Sequence, residues 1–324
     1  MTRMSFVEAG HTALAEEMRR DPAVWVLGED VAHGGLYGQY KGLAKEFGTQ
    51  RLISTPISEA TIMGAGLGAA LVGTRPVIEM RMTDFALCAI DELVNQIAKV
   101  RYMFGGQARA SLVVRMPHGM VRNSAAQHSQ CLEAWFAHVP GLVVVAPGTP
   151  ADAAGLLKAA IRSDDPVVFL EPKALWQQEG EVPEDTEPIP FGTARIAREG
   201  GETTLVTWST ALGPALQAAE EAAAEGMAVE VLDLRSIWPW DVEAVVESVR
   251  RTRRLLVVHE AVTTGGFGAE VLATVAERLA GESALRLRRL GAPRVPVPFS
   301  PRLEDAIRVD APDVLDALRT LCAD

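Results

Sequence analysis

Apolar side chains between Ser5 and Arg19 recur every three or four residues, which predicts an amphipathic helix. The apolar run from Ala23 to Leu27 then predicts a short buried strand that runs into Gly28, Glu29 and Asp30. Further strand-like runs cover 75–80, 111–115, 141–147 and 166–172, with helical periodicity at 85–104 and 150–162 between some of them. Continuous apolar strands alternating with amphipathic helices imply a mostly parallel sheet covered on both faces. The stretch from Pro172 to Gly192 interrupts the rhythm with prolines and acids, so the domain boundary is placed there. A second series follows: strands at 203–208, 228–234, 254–260 and 285–290, and helices at 212–225, 241–250 and about 267–280. The expected fold is α/β, two doubly wound domains with mostly parallel sheets, divided as residues 1–187 and 188–324.

The length of 324 residues suits two such cores, and no apolar run reaches the roughly 20 residues of a membrane span. The first residues carry acids early and read as a helix, so neither a secretory signal nor an Arg-rich transit peptide is expected and the protein is placed in the cytoplasm. Cys88, Cys131 and Cys322 are odd in number and far apart, which argues for buried thiols over disulfides or a zinc cluster. The net charge of −11 disfavours nucleic acid as a partner, and Arg250, Arg251, Arg253 and Arg254 read as the basic end of a helix.

Candidate chemistry is densest in the segment from Ser54 to Val77. Thr55 and Pro56 have the character of a helix cap and first helical position, which puts Glu59 in the first turn. Glu59 either complements the helix dipole or, among Ile57, Ile62 and Met63, lies in a dry site where it shares a proton with a ligand nitrogen. Gly64, Gly66 and Ala69 also satisfy a dinucleotide-binding spacing, but a full helical turn already precedes them, whereas that fingerprint opens a helix directly after a strand. The loop 263–271 follows a strand and opens a helix, yet lacks the acidic partner about 20 residues on, and reads as an ordinary β/α turn. His118 and His128 flank an irregular loop. His128, between Gln127 and Ser129 at an expected loop-to-helix junction, is placed to shuttle a proton or stabilise developing charge. Periodicity and spacing alone reach a two-domain α/β enzyme or enzyme subunit.

The segments LGEDV (27–31), FGTQRLISTPISEATIMGAGLGAALVGTRPV (47–77), AIDELVNQIAKVRYMFGGQ (89–107), AAQHSQCLEAWFAHVPGLVVVAP (125–147), DLRSIWPWD (233–241) and HEAVTTGGFGAEV (259–271) together resemble the β subunit of 2-oxo acid dehydrogenase E1 enzymes of pyruvate, acetoin and branched-chain types. The resemblance implies a pyrimidine-binding domain followed by a transketolase C-terminal domain. It implies an oxidoreductase that decarboxylates a small 2-oxo acid, or cleaves acetoin, and passes the acyl group to a lipoyl-bearing E2 core. Thiamin diphosphate would be shared with an E1 α subunit in an α2β2 heterotetramer, with Mg²⁺ held by α.

By resemblance Glu59 hydrogen-bonds the pyrimidine N1′ and promotes deprotonation of the thiazolium C2, while His128 orients or protonates intermediates and aids acyl transfer. Phe85 and Ile57 match cofactor contacts, and Arg81 and Glu29 stand at cofactor-proximal positions. A potassium site maps to Leu112, Ala160, Ile161, Ser163 and Asp165, where Ser163 and Asp165 replace the usual Asp and Asn. Arg81 also departs from the pattern. It pairs with Glu79 or Asp84 nearby, or it faces substrate, in which case a split transketolase-like enzyme moving a two-carbon ketol unit from a sugar phosphate is the alternative. A noncatalytic β-like scaffold is the remaining one.

Overall fold

The computed structural model describes residues 1–282 and 284–323. The described residues form two compact units, one of residues 1–118 and 135–191, the other of residues 119–134 and the described residues from 192 to 323.

The first unit opens with strand β1 (Thr2–Ser5) and helix α1 (Phe6–Arg20). Ser5 ends one and caps the other: its hydroxyl accepts from the Glu8 N–H while the Glu8 carboxylate accepts from the Ser5 N–H, so two helix-end donors are satisfied reciprocally. There follow β2 (Val24–Gly28), α2 (Leu43–Phe47), β3 (Leu52–Ser54), α3 (Glu59–Leu71), β4 (Arg75–Glu79), α4 (Val100–Met103), β5 (Val113–His118), α5 (Glu133–Ala137, whose first two residues belong to the other unit), β6 (Val143–Val145), α6 (Pro150–Arg162), β7 (Val167–Pro172) and β8 (Glu179–Val182). Strands β6, β7, β5, β4, β2 and β3 lie side by side in that order, all parallel where paired, and β8 runs antiparallel to β1. The apolar faces of α1 and α6 close over Val24, Val26, Val77, Val113 and Val167, which makes the core of this unit.

Helical periodicity over 85–104 is realised only in pieces: a 3₁₀ segment (Thr83–Ala89), a π-helical segment (Glu92–Ile97) and then α4. Ala86, Ala89, Leu93, Ile97 and Val100 are all buried at spacings of three and four, so the apolar stripe is continuous while the hydrogen-bond register shifts beneath it. The proline-rich stretch after Pro172 contains β8, whose register ties Val182 to Thr2 and Glu179 to Ser5.

The second unit adds β9 (Arg195–Arg198), β10 (Thr203–Thr207), α7 (Leu212–Ala224), β11 (Val229–Asp233), β12 (Ser236–Trp238), α8 (Val242–Thr252), β13 (Arg254–Val262), α9 (Gly268–Arg278), β14 (Arg286–Ala292), α10 (Pro301–Asp305) and α11 (Ala311–Ala323). Its sheet runs β14, β13, β10, β11, β9, parallel except for the edge strand β9. Helices α7 and α11 bury Ala215, Ala218, Ala222, Val314 and Leu318 against Val231, Leu256 and Val258. Arg250 and Arg251 stand in the last turn of α8, and Arg251 reaches the buried Glu230 at 2.7 Å. The cysteines depart from the expectation of buried thiols: Cys88 is exposed, because its 3₁₀ segment turns that residue outward, and Cys131 and Cys322 are half-buried. Among the described residues no helix is long and apolar enough to cross a membrane.

Candidate functional site

In the first unit the register aligns Gly28 with both Ser54 and Glu79, and Glu79 with Arg115, so β2, β3, β4 and β5 end at one edge of the sheet. The carboxyl ends of parallel strands are where open α/β sheets leave a crevice. Glu29 follows β2, Ile57 and Glu59 follow β3, and Arg81 and Phe85 follow β4. Five of the candidates therefore leave the same sheet edge.

Glu59 is the first residue of α3, which starts later than the cap expected at Thr55 and Pro56. Two forces delay it: Thr55 N–H donates to the Gly28 carbonyl at 3.0 Å, holding it along β2, and proline disfavours helical backbone in the residue before it. Ser58 sits at the cap position, but its hydroxyl donates backward to Pro56 and not into the helix. The expected apolar shell is also split. Ile62 and Met63 turn into the core, whereas Ile57 is 76% exposed and Glu59 and Phe85 are half-buried. Gly64, Gly66 and Ala69 lie inside α3, and Gly66 faces Ile78, so the small residue there allows the helix to pack on β4.

Arg81 is ion-paired with two carboxylates that follow β2, and its charge also acts on Glu79. Its guanidinium lies 3.5 Å from Glu29 and 2.7 Å from Asp30, because the segment after β2 passes beside the segment after β4. Behind this pair is a closed network that the motifs did not signal. Arg115 makes two bonds of 2.6 and 2.7 Å to Glu171, stacks over the Tyr40 ring at 5.2 Å, and the Tyr40 hydroxyl donates to Glu79. One guanidinium faces two carboxyls here, all buried. Burial pushes the Glu79 carboxyl up to about 7, against the opposing pull of Arg115.

Three tests bear on a heteroaromatic cofactor at this edge. The hydroxyl of Thr55 is buried without a hydrogen-bond partner, Ile57 presents an exposed apolar side chain, and Glu59, half-buried, begins α3 two residues further along the chain. A ring with polar nitrogens fits that set. The proposed potassium residues fit their ion less well. The carbonyls of Ile161 and Ser163 accept from the Arg75 guanidinium at 3.2 and 2.8 Å, those of Ala160 and Leu112 accept from the Ser163 and Val167 N–H groups, and the Asp165 carboxylate pairs with Arg101. Arg75 already brings positive charge to that turn.

His128 belongs to the second unit. It is exposed on an irregular loop, five residues before α5, and not at a helix junction. Asn123 and Ala125 hold left-handed backbone within the loop, and Gly119 N–H bonds to the Gln130 carbonyl at 3.4 Å across its root. His118 ends β5 in the first unit, where burial, with Lys173 nearby, drives its imidazole down to about 3 and keeps it neutral. Beyond the loop, Glu133 is buried against the Trp208 indole N–H at 3.4 Å, and burial pushes its carboxyl up to about 7. In the loop after β13 the glycines are needed for space: a Cβ on Gly266 or Gly268 would meet the buried His259 imidazole at 2.7 or 2.9 Å.

The family "Transketolase, pyrimidine binding domain" matches residues 2–178, and "Transketolase, C-terminal domain" matches residues 192–314. The chain is 43% identical to the pyruvate dehydrogenase E1 component subunit beta of Rhizobium meliloti (strain 1021), over 99% of this chain and 70% of that protein. It is 40% identical to the 2-oxoisovalerate dehydrogenase subunit beta of Bacillus subtilis (strain 168), over 99% of both. It is 43% identical to the acetoin:2,6-dichlorophenolindophenol oxidoreductase subunit beta of Cupriavidus necator, over 98% of this chain and 97% of that one. The solved structure of a split gene transketolase in an inactive β4 tetramer superposes with a TM-score of 0.80 at 24% identity, covering 99% of this chain and 98% of its own, which supports the fold.

Proposed function

Because the chain belongs to the family of transketolase-like 2-oxo acid dehydrogenase E1 β subunits, we propose that it works in the cytoplasm with an E1 α subunit, as an α2β2 enzyme that decarboxylates a small 2-oxo acid. The acyl group passes to a lipoyl-bearing E2 core. The observation that carries this reading is the placement of Glu59 at the first residue of α3, on the sheet edge where Ile57, Phe85, Glu29 and Arg81 also emerge. When bound, thiamin diphosphate would supply a nucleophilic carbon at thiazolium C2 and a cationic ring able to take up the electron pair released by decarboxylation. Glu59 holds a proton against a pyrimidine nitrogen, and its half-buried carboxyl is reachable by such a ring. Ile57 offers an apolar contact to the ring, Phe85 an aromatic one, and the Thr55 hydroxyl a polar one. His128 moves a proton or steadies negative charge on the substrate side. Mg²⁺ and the diphosphate fall to the α subunit.

The pairing of Arg81 with Glu29 and Asp30 favours a 2-oxo acid over a sugar phosphate, since that guanidinium is already charge-compensated. Mixing the chain with its α partner, thiamin diphosphate and Mg²⁺ tests the assignment against pyruvate, branched 2-oxo acids, acetoin and ketose phosphates. Release of CO₂ from a 2-oxo acid is expected. Turnover of ketose phosphates alone would favour the transketolase alternative, and no turnover by an assembled complex would favour the scaffold.

A further inference from the structure

The loop that carries His128 leaves few marks in the sequence that could fix its shape, yet one side chain holds its root. Glu260 lies near the carboxyl end of β13, next to the end of its parallel neighbour β10. One carboxylate oxygen accepts from the backbone N–H of Met120, the second residue of the loop segment, and the other accepts from the Thr210 hydroxyl just beyond β10. Gly119 makes the approach possible. It adopts φ +83°, and a Cβ there would stand 2.8 and 3.0 Å from the two Glu260 oxygens. The opposite root is held by Glu133 against Trp208, whose ring stacks on His259 at 5.4 Å between centroids. Between the roots the loop carries two bonds of its own, Ser124 N–H to the Val121 carbonyl at 3.1 Å and His128 N–H to the Ala125 carbonyl at 3.5 Å, and two ties to the segment after β14, Asn123 to the Phe299 carbonyl at 3.5 Å and Arg122 to Asp305 at 3.7 Å. A cavity of about 450 Å³ lies beneath it, lined by Met120, Ala126, Ser129 and Gln130 from the loop and by Glu260 and Val262 from β13, so packing alone does not support the loop from below.

We propose that Glu260 is a positioning residue: by fixing Met120 and Thr210 to one carboxylate it sets the conformation from which His128 acts. The inference rests on the reading of His128 as a catalytic residue. A carboxylate suits the task because each oxygen accepts independently and a charged acceptor bonds N–H and O–H donors more strongly than a neutral one. Glutamine keeps the shape, since its oxygen can accept from Met120 and its amide can donate to the Thr210 hydroxyl.

The test is a double-mutant cycle in the assembled complex with thiamin diphosphate, Mg²⁺ and the best 2-oxo acid. Glu260→Ala is expected to lower kcat about a hundredfold with little change in KM. Glu260→Gln restores most of the rate. Glu260→Ala combined with His128→Ala is no slower than His128→Ala alone, because a misplaced imidazole and an absent one lose the same step. Should Glu260→Ala fail to assemble, Gly119→Ala perturbs the same contact from the loop side and carries the same expectation of a defect masked by His128→Ala. Multiplicative losses in the double variant, or a Glu260→Ala enzyme with wild-type kcat, would overturn the inference alone. An assembled wild-type complex without 2-oxo acid turnover would instead refute the assigned reaction, and the role of Glu260 with it.

Discussion

Replacing Glu79 with glutamine should change the pH dependence of stability more than stability itself. Glu79 shares a buried site with Glu171, Tyr40 and Arg115, and the single guanidinium is taken up by its two bonds to Glu171. Burial therefore raises the Glu79 carboxyl from its ordinary 4.5 to about 7. The folded state holds a proton that the unfolded chain has released, so the stabilisation from neutral Glu79 is full below pH 4.5 and is lost as pH rises through about 7. With 1.36 kcal/mol for each pKa unit, about 2.5 kcal/mol disappears between about pH 5 and about pH 8. Glutamine keeps the acceptor for Tyr40 and cannot ionise. The unfolding free energy of Glu79→Gln minus that of the wild type should then grow by about 2.5 kcal/mol across that interval, a urea-midpoint gap of about 1 M. Glu133, which titrates in the same range, is common to both proteins and cancels in the difference. Urea unfolding followed by circular dichroism in matched buffers measures the gap. A difference that stays constant from pH 5 to pH 8 would refute the argument that Glu79 is neutral when folded.

Other consequences of the packing can be checked in the same assay. Arg115→Met leaves Glu171 buried without its cation and should cost about 3–5 kcal/mol at pH 8, with partial recovery at pH 5 as the carboxyls take up protons; an unchanged midpoint would contradict the network. Gly141→Ala introduces a Cβ against the Ala98 carbonyl at a residue with φ +103°, so a loss of at least about 2 kcal/mol is expected, and a neutral result would mean the turn is free to move. Ser5→Ala removes the reciprocal cap of α1 and should lower stability by about 1 kcal/mol, read from the thermal midpoint.

Much of the scaffold was legible because the central strands of the two large sheets are parallel and buried: the runs at 75–80, 166–172 and 254–260 become β4, β7 and β13 with small changes at their ends. Where periodicity failed, it failed for identifiable causes. The stripe from Ala86 to Val100 specifies a buried face but not a hydrogen-bond register, and the start of α3 depends on a tie between Thr55 and Gly28 that only the folded sheet creates. The short β1 was invisible because its partner β8 lies far along the chain, in a stretch read as a boundary. Glu59, Ile57, Glu29, Arg81 and Phe85 could be named from motifs, yet the pairing of Arg81 with Glu29 and Asp30 required the crossing of two loops. One signal was available and unused: β4, β5 and β7 each carry a charged residue among apolar ones, Glu79, Arg115 and Glu171, and buried charges in neighbouring strands are normally paired.

The central claim is that the Glu59 carboxyl activates a bound thiamin ring. Its most direct test is the rate of hydrogen–deuterium exchange at the thiazolium C2 in complexes carrying Glu59 or Glu59→Gln, with the cofactor saturating and subunit assembly verified by sedimentation. Exchange is expected to slow by about 10²- to 10⁴-fold in the glutamine variant while assembly is retained. Exchange at the wild-type rate in an assembled Glu59→Gln complex would contradict it.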